Sequence, residues 1–352
     1  MIRAVLFSFF LLNFSFLVGC GDGGKPRETI VPASAEAKVI VVYSPHGKQL
    51  EEDIKKRFED AHAGYTVEFL DMGGGKILTR LQGEKAQPRA DVWWGGAAGD
   101  FNRADAQGLL EPYTPEWSKN LPADARSASG AWVATFRTPE LIMYNSKKIS
   151  VADAPKTWDD LLDLKWKGKI VIRDVRPSST MKTIFGSIIL REQKKTGSVD
   201  AGFEFLEKLD ANTGSYAAEP QLMYDLLDGD GPYAITLWNL ADALLLKSNG
   251  HSFEYVIPPG APIPVEPISL VKNSPNPAGA KMFHDFVNSP EQLVLMAKER
   301  HRLPARTDLP QDQLPAWMKD LKLQPADMDW AALDKNIDEW IARWERDIKQ
   351  KK

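Results

Sequence analysis

Cysteine is nearly missing from this chain: among 352 residues there is one, Cys20. A lone cysteine excludes an internal disulfide. Histidine is scarce as well, with five in all, and only His46 falls in a loop placed to meet a ligand, so no metal site is expected. Charge of one sign is also lacking. The 44 Lys and Arg nearly balance 48 Asp and Glu, a formal net charge of −4, which leaves no whole-chain basic field and argues against nucleic acid as a partner. No apolar run reaches the about 20 residues that span a bilayer as a helix. The catalytic signatures G-x-S-x-G and H-E-x-x-H do not occur. The segment "MGGGKI" lacks both the upstream glycine and the hydroxyl after lysine that a nucleotide phosphate loop uses. An enzyme, an anchored hydrolase for example, is therefore the remote reading, and no cofactor is expected.

The stretch that comes closest to a membrane segment is N-terminal. "MIRAVLFSFFLLNFSFLVGC" holds one basic residue, Arg3, then an apolar run from Ala4 to Val18, about 22 Å long as a helix against about 30 Å of hydrocarbon core. It fits a cleaved secretion signal over residues 1–19. Its ending, Leu17-Val18-Gly19-Cys20, resembles the lipobox of bacterial lipoproteins, which implies lipidation of Cys20 and anchoring to a membrane of the cell envelope. Residues 20–38, rich in Gly, Pro, Ala and charge, read as a tether.

From Val39 the chain has a globular character, without internal repeats or low-complexity blocks, and its length suggests two domains. Strand and helix signals alternate, the mark of an α/β architecture. "KVIVVYS", "YTVEFLD" and "ADVWWGG" read as strands, each followed by a turn and an amphipathic helix-like run. Those turns contain Ser44 and His46, then Gly74, Gly75 and Lys76, then Trp94 and Gly96. Ligands in open α/β sheets bind outside the carboxyl ends of the strands, and helix starts favour anions, so the three turns are expected to form one wall of a cleft. "GAWVATFRTPELIMYNSKKI" reads as a crossing between domains, and "PKTWDDLLDLKWKGKI" as a helix and then a strand. A later strand-to-helix turn combines Arg176 with Ser178, Ser179 and Thr180, a cation and hydroxyls fit to hold an anion from the opposite side. Trp238 and Asn239 open another helix. Glu266 lies near the start of the returning strand, where it would repel a phosphate unless it accepts from a hydroxyl or amine. Trp94 and Trp238 offer faces for an organic moiety. Toward the C-terminus Trp330, Leu333, Ile337, Trp340, Ile341, Trp344 and Ile348 recur at helical spacing, one apolar stripe that packs a helix on a lobe.

The segments "VVYSPHGK", "ADVWWGG", "LIMYNSKKI", "PKTWDDLLDLKWKGKI" and "MFHDFVNSPEQ" occur in the order found in a known family. The chain resembles a periplasmic solute-binding protein of an ABC importer, in the group that includes ferric-ion, thiamine, phosphonate and sugar-phosphate receptors. That resemblance implies a type II periplasmic-binding-protein fold, with a ligand cleft between two α/β lobes joined by crossing strands. The corresponding divisions are residues 39–135 for the first part of lobe 1, 136–264 for lobe 2 with the crossing strands, and 265–352 for the return and C-terminal helices. It also implies an ABC permease and its ATPase as partners, with a sensor that presents its ligand to a membrane protein as an alternative. Ferric receptors of the group carry adjacent tyrosines where this sequence has Leu240-Ala241. The helix starts expected to line the cleft favour a small anionic or phosphorylated solute as cargo, with ferric ion or thiamine as the alternatives.

Overall fold

The computed structural model describes residues 38–349. Cys20, the signal segment and nearly all of the tether lie outside them. The first lobe opens with β1 (Lys38–Ser44), α1 (Lys48–Ala61), β2 (Tyr65–Asp71), α2 (Gly74–Gly83), β3 (Val92–Trp94), α3 (Ala98–Ala106), β4 (Leu110–Glu111) and β5 (Val133–Arg137). The second lobe contains β6 (Glu140–Asn145), β7 (Ile170–Arg173), α4 (Ser179–Thr196), α5 (Asp200–Asn212), β8 (Thr213–Ala217), α6 (Pro220–Asp228), β9 (Ile235–Asn239), α7 (Leu240–Ser248) and β10 (Phe253–Val256). The chain then returns through β11 (Val265–Val271), α8 (Pro277–Val287), α9 (Pro290–Arg300) and β12 (Leu303–Pro304), and ends in α10 (Ala316–Lys319) and α11 (Trp330–Asp347).

The first sheet runs β12-β5-β11-β3-β1-β2, with β4 on β11. Its β1, β2 and β3 are parallel, while β11 runs antiparallel to both β3 and β5. The second sheet runs β10-β6-β9-β7-β8, with β7 parallel to β8 and β9 and β6 antiparallel to its neighbours. β3 lies inside the first sheet, which is why its residues Val92, Trp93 and Trp94 are all fully buried and form an unbroken apolar run. Each sheet has its own core. The first is built around Val42, Phe58, Trp93, Trp94, Phe101 and Phe283. The second is built around Trp158, Ile172, Phe185 and Leu237.

Two strand connections join the lobes side by side. The link from β5 to β6 pairs with the link from β10 to β11, the Thr138 N–H donating to the Pro264 carbonyl at 2.9 Å and the Glu140 N–H to the Pro262 carbonyl at 3.0 Å. A third link leads from β12 to α11 and runs beside the second, where Gly260 N–H donates to Gln324 and Ala326 N–H to Ala261. The apolar stripe of α11 thus joins the second core rather than the first.

One expected helix is absent. The "TWDDLLDLKW" segment forms two short 3-10 turns, Asp159–Leu162 and Leu164–Trp166. Short polar side chains compete there for the backbone: Asp160 accepts from the N–H groups of Lys156 and Thr157, and Asp163 accepts from that of Lys165.

Candidate ligand-binding cleft

The parallel strands β1, β2 and β3 end on the same side, so the loops that follow them converge. In the third loop Gly95 and Gly96 take φ values of 93° and 111°, a region that L side chains avoid. The bare backbone lets neighbouring groups come close. A Cβ on Gly96 would lie 3.6 Å from the Gly74 Cα, and one on Gly95 only 2.4 Å from the Nε2 of His46. The His46 ring is wedged edge-on against Trp94, centroids 4.5 Å apart, and against Phe136 at 5.8 Å. Burial, reinforced by the nearby Arg302 guanidinium, pushes its pKa well below the usual histidine value, so the imidazole is neutral. His46 Nδ1 lies 3.5 Å from Glu266 Oε2.

Glu266 organises the floor. Its Oε1 accepts from the Thr138 hydroxyl and from Arg302 Nη1, the latter at 3.4 Å. Beside it Glu140 is 2% exposed, and its Oε2 has no hydrogen-bond partner. Burial first, then the charges of Glu266 and Asp242, push the Glu140 pKa well above the normal carboxylate range. These groups close the bottom of a cavity of about 250 Å³ whose opposite wall is Ser179, Thr180 and Thr183, at the start of α4 on the second lobe.

Two wider chambers continue from this cavity. One, of about 710 Å³, contains Lys76, Arg103, Arg173 and Arg176 together with Asp100, Glu219 and Asp338. The other, of about 600 Å³, is lined by Trp132, Ile263, Val265 and Trp330. Leu333 and Asp334 of α11 belong to the walls of both. Asp334 reaches the first lobe, where a Cβ on Gly99 would meet its carboxylate at 2.1 Å.

Of the residues singled out from the sequence, His46, Gly74, Gly96, Ser179, Thr180 and Glu266 line the 250 Å³ cavity. Gly75, Lys76 and Arg176 line the larger charged chamber. There Arg176 forms an ion pair with Glu345. The remaining five line none of these three cavities. Ser44 is buried beneath the first loop and accepts from the His46 N–H. Ser178 caps α4 by accepting from the Met181 N–H, and Asn239 caps α7 by accepting from that of Asp242. Trp94 is fully buried with Nε1 directed to the Thr135 hydroxyl at 3.2 Å. Trp238 is 5% exposed and donates to Asp242 at 2.7 Å. Neither indole presents a face to the cavity. Sequence reasoning missed Thr138, Glu140, Thr183, Arg302 and Asp334. Only Thr138 and Glu140 carried a signal, since a "TPE" at a crossing between lobes places polar groups on a cleft floor.

A family model described as bacterial extracellular solute-binding protein matches residues 53–326. The chain belongs to this solute-binding family. Relatives of this solute-binding protein include the "Probable ABC transporter periplasmic-binding protein y4fP" of Sinorhizobium fredii, 28% identical over 322 residues, 90% of this chain and 88% of the relative. Iron uptake protein A1 of Synechocystis is 24% identical over 326 residues, 91% of this chain and 89% of that protein. Among solved structures, the periplasmic binding protein AfuA from Actinobacillus pleuropneumoniae, with exogenous fructose-6-phosphate bound, matches with a TM-score of 0.73 at 24% identity. The match covers 89% of this chain and 99% of AfuA.

Proposed function

We propose that the protein is the extracytoplasmic receptor of an ABC importer, that it performs no covalent chemistry, and that its cargo is a small anionic solute such as a phosphate ester or phosphonate. One observation carries the cargo assignment: helix starts from opposite lobes face the same cavity. Gly73, the residue before α2, provides no side-chain cap, and the first-turn N–H groups of any helix have no partner within it. Across the cavity the start of α4 adds the hydroxyls of Ser179, Thr180 and Thr183. Each helix start favours an anion by about 0.3–1 kcal/mol, rising to about 2 when partly buried. Hydroxyls donating to a charged oxygen contribute about 1.5–3 kcal/mol apiece. Together these reach the scale of micromolar binding, about −8 kcal/mol. Closure of the lobes about the paired crossing strands brings the two walls together on the solute and presents the closed form to the permease.

The double variant Ser179→Ala/Thr180→Ala is expected to weaken binding of a phosphorylated solute at least tenfold, about 1.4 kcal/mol or more. Calorimetry with a panel of sugar phosphates and phosphonates checks this, and unchanged affinity removes the α4 wall from the site. Ser178 is a poor choice for that test, because its loss removes a helix cap, which costs about 1 kcal/mol of stability.

A ferric-ion cargo fits less well. The start of α7 presents Leu240 and Ala241, both buried.

The lipobox-like ending at Cys20 supports anchoring of the receptor to an envelope membrane. Cys20→Ser is expected to move the protein from the membrane fraction to the soluble fraction on cell fractionation, and retention in the membrane refutes the anchor.

A further inference from the structure

The floor of the 250 Å³ cavity has a charge pattern that a purely anionic solute does not explain. Two carboxyl groups, Glu140 and Glu266, face it, with a single guanidinium, that of Arg302. Arg302 is engaged by Glu266, which also holds the Thr138 hydroxyl. His46 contributes no positive charge, being neutral in its buried position. Glu140 is thus left without a counter-ion: among the described residues no cation lies within ion-pair distance, its Oε2 accepts no hydrogen bond, and 98% of the residue is withdrawn from solvent. A buried carboxyl with no partner is costly, and native proteins leave such groups mainly where something else completes them.

The backbone of Glu140 is fixed by strand pairing. Glu140 is the first residue of β6, fixed by its own N–H bond to Pro262 in the neighbouring crossing strand and paired in register with Asn239 of β9. Glu140 is part of the lining of the 250 Å³ cavity.

We propose that the solute carries a cationic ammonium or related nitrogen group in addition to its anionic end, and that Glu140, assisted by Glu266, receives it on the cavity floor. The anionic end then meets the helix starts of α2 and α4, and the solute lies across the cavity as a dipole. This inference rests on the anionic-solute reading and narrows it to amine-bearing anions. The raised pKa of Glu140 accords with a carboxyl that is neutral while the site is empty and gives up its proton to the solvent when an ammonium arrives.

Matched pairs of probes separate the two readings: O-phosphoethanolamine against ethyl phosphate, 3-aminopropylphosphonate against propylphosphonate, and glucosamine-6-phosphate against glucose-6-phosphate. Each is titrated by calorimetry into the mature protein and into its Glu140→Gln variant. In the pairs that fit the cavity, the ammonium member is expected to bind on the order of tenfold tighter or more, the strength of one charge-assisted hydrogen bond. Glu140→Gln keeps the side-chain shape and a hydrogen-bond donor but not the charge, so it is expected to abolish that preference. Circular dichroism and urea denaturation of the variant serve as the control for folding. Equal binding of both members by the wild type overturns the proposal and leaves the anionic reading standing, as does a preference that survives in Glu140→Gln. If no member of any pair binds at millimolar concentration, the inference falls together with the anionic reading on which it rests.

Discussion

Alanine at Gly95 is expected to destabilise the protein by about 2–4 kcal/mol, combining the penalty of a left-handed backbone for an L residue with that of overpacking a buried site. Both terms have a visible origin. The φ of 93° costs strain for any residue with a Cβ. That Cβ would also fall 2.4 Å from Nε2, 2.7 Å from Cε1 and 2.9 Å from Cδ2 of His46. The imidazole is confined on two sides, because Trp94 and Phe136 flank it and only 2% of its side chain reaches solvent. Displacing it pulls Nδ1 away from Glu266 and shifts the cavity floor, so solute binding is expected to fall along with stability. Gly64→Ala is the matched control. It shares a positive φ of 87°, but its Cβ would meet nothing within 4 Å, so only the strain of about 1–2 kcal/mol applies and binding is retained. Urea denaturation of both variants distinguishes them, and equal losses would show that the His46 ring is free to yield.

Trp344→Ala is expected to cost about 3–5 kcal/mol, the range for emptying a large aromatic from a core. Trp344 is fully buried in the second lobe, edge-on to Phe185 at 5.1 Å and against Tyr216 at 5.5 Å. The consequence extends past the cavity left behind. α11 has 18 residues, and a single helix of that size is marginal in water unless its apolar face is packed. Its Leu333 and Asp334 form part of the cleft walls, so loosening the helix is expected to weaken binding as well as stability and to expose the chain before α11 to protease. Trp344→Phe is expected to recover most of the loss, because the indole Nε1 donates to no acceptor and only volume needs replacing. Trp330→Ala, at the half-exposed start of the same helix, is expected to cost less than about 1.5 kcal/mol. If Trp344→Ala were equally mild by urea denaturation, α11 would be an appendage rather than part of the lobe.

The outline of the fold was legible because each element has a local cause. Alternating or continuous apolar runs marked β1, β2 and β3, and glycine or small polar residues marked the turns after them. The α11 stripe was legible for the same reason, since helical spacing is written in a single segment. The "TWDDLLDLKW" segment was misread because its apolar spacing suits a helix while its aspartates bind the backbone in turns. The tryptophans show a different limit. Trp94 and Trp238 stand beside cleft loops in the sequence, but whether an indole faces a ligand or the core depends on which face of the strand the sheet covers.

The sequence by itself determined the α/β class, the loops that follow the parallel strands, the turn at Ser178 to Thr180 and the amphipathic C-terminal helix, because spacing and turn chemistry are properties of neighbouring residues. Tertiary structure alone decided that His46 lies over Gly95, that Arg302 and Thr138 converge on Glu266, that Glu140 is left unpartnered, and that α11 carries Asp334 across to Gly99. Those relations join residues far apart in the chain. Their energies come from burial and from the charges of distant neighbours, neither of which exists until both lobes and their crossing strands have folded.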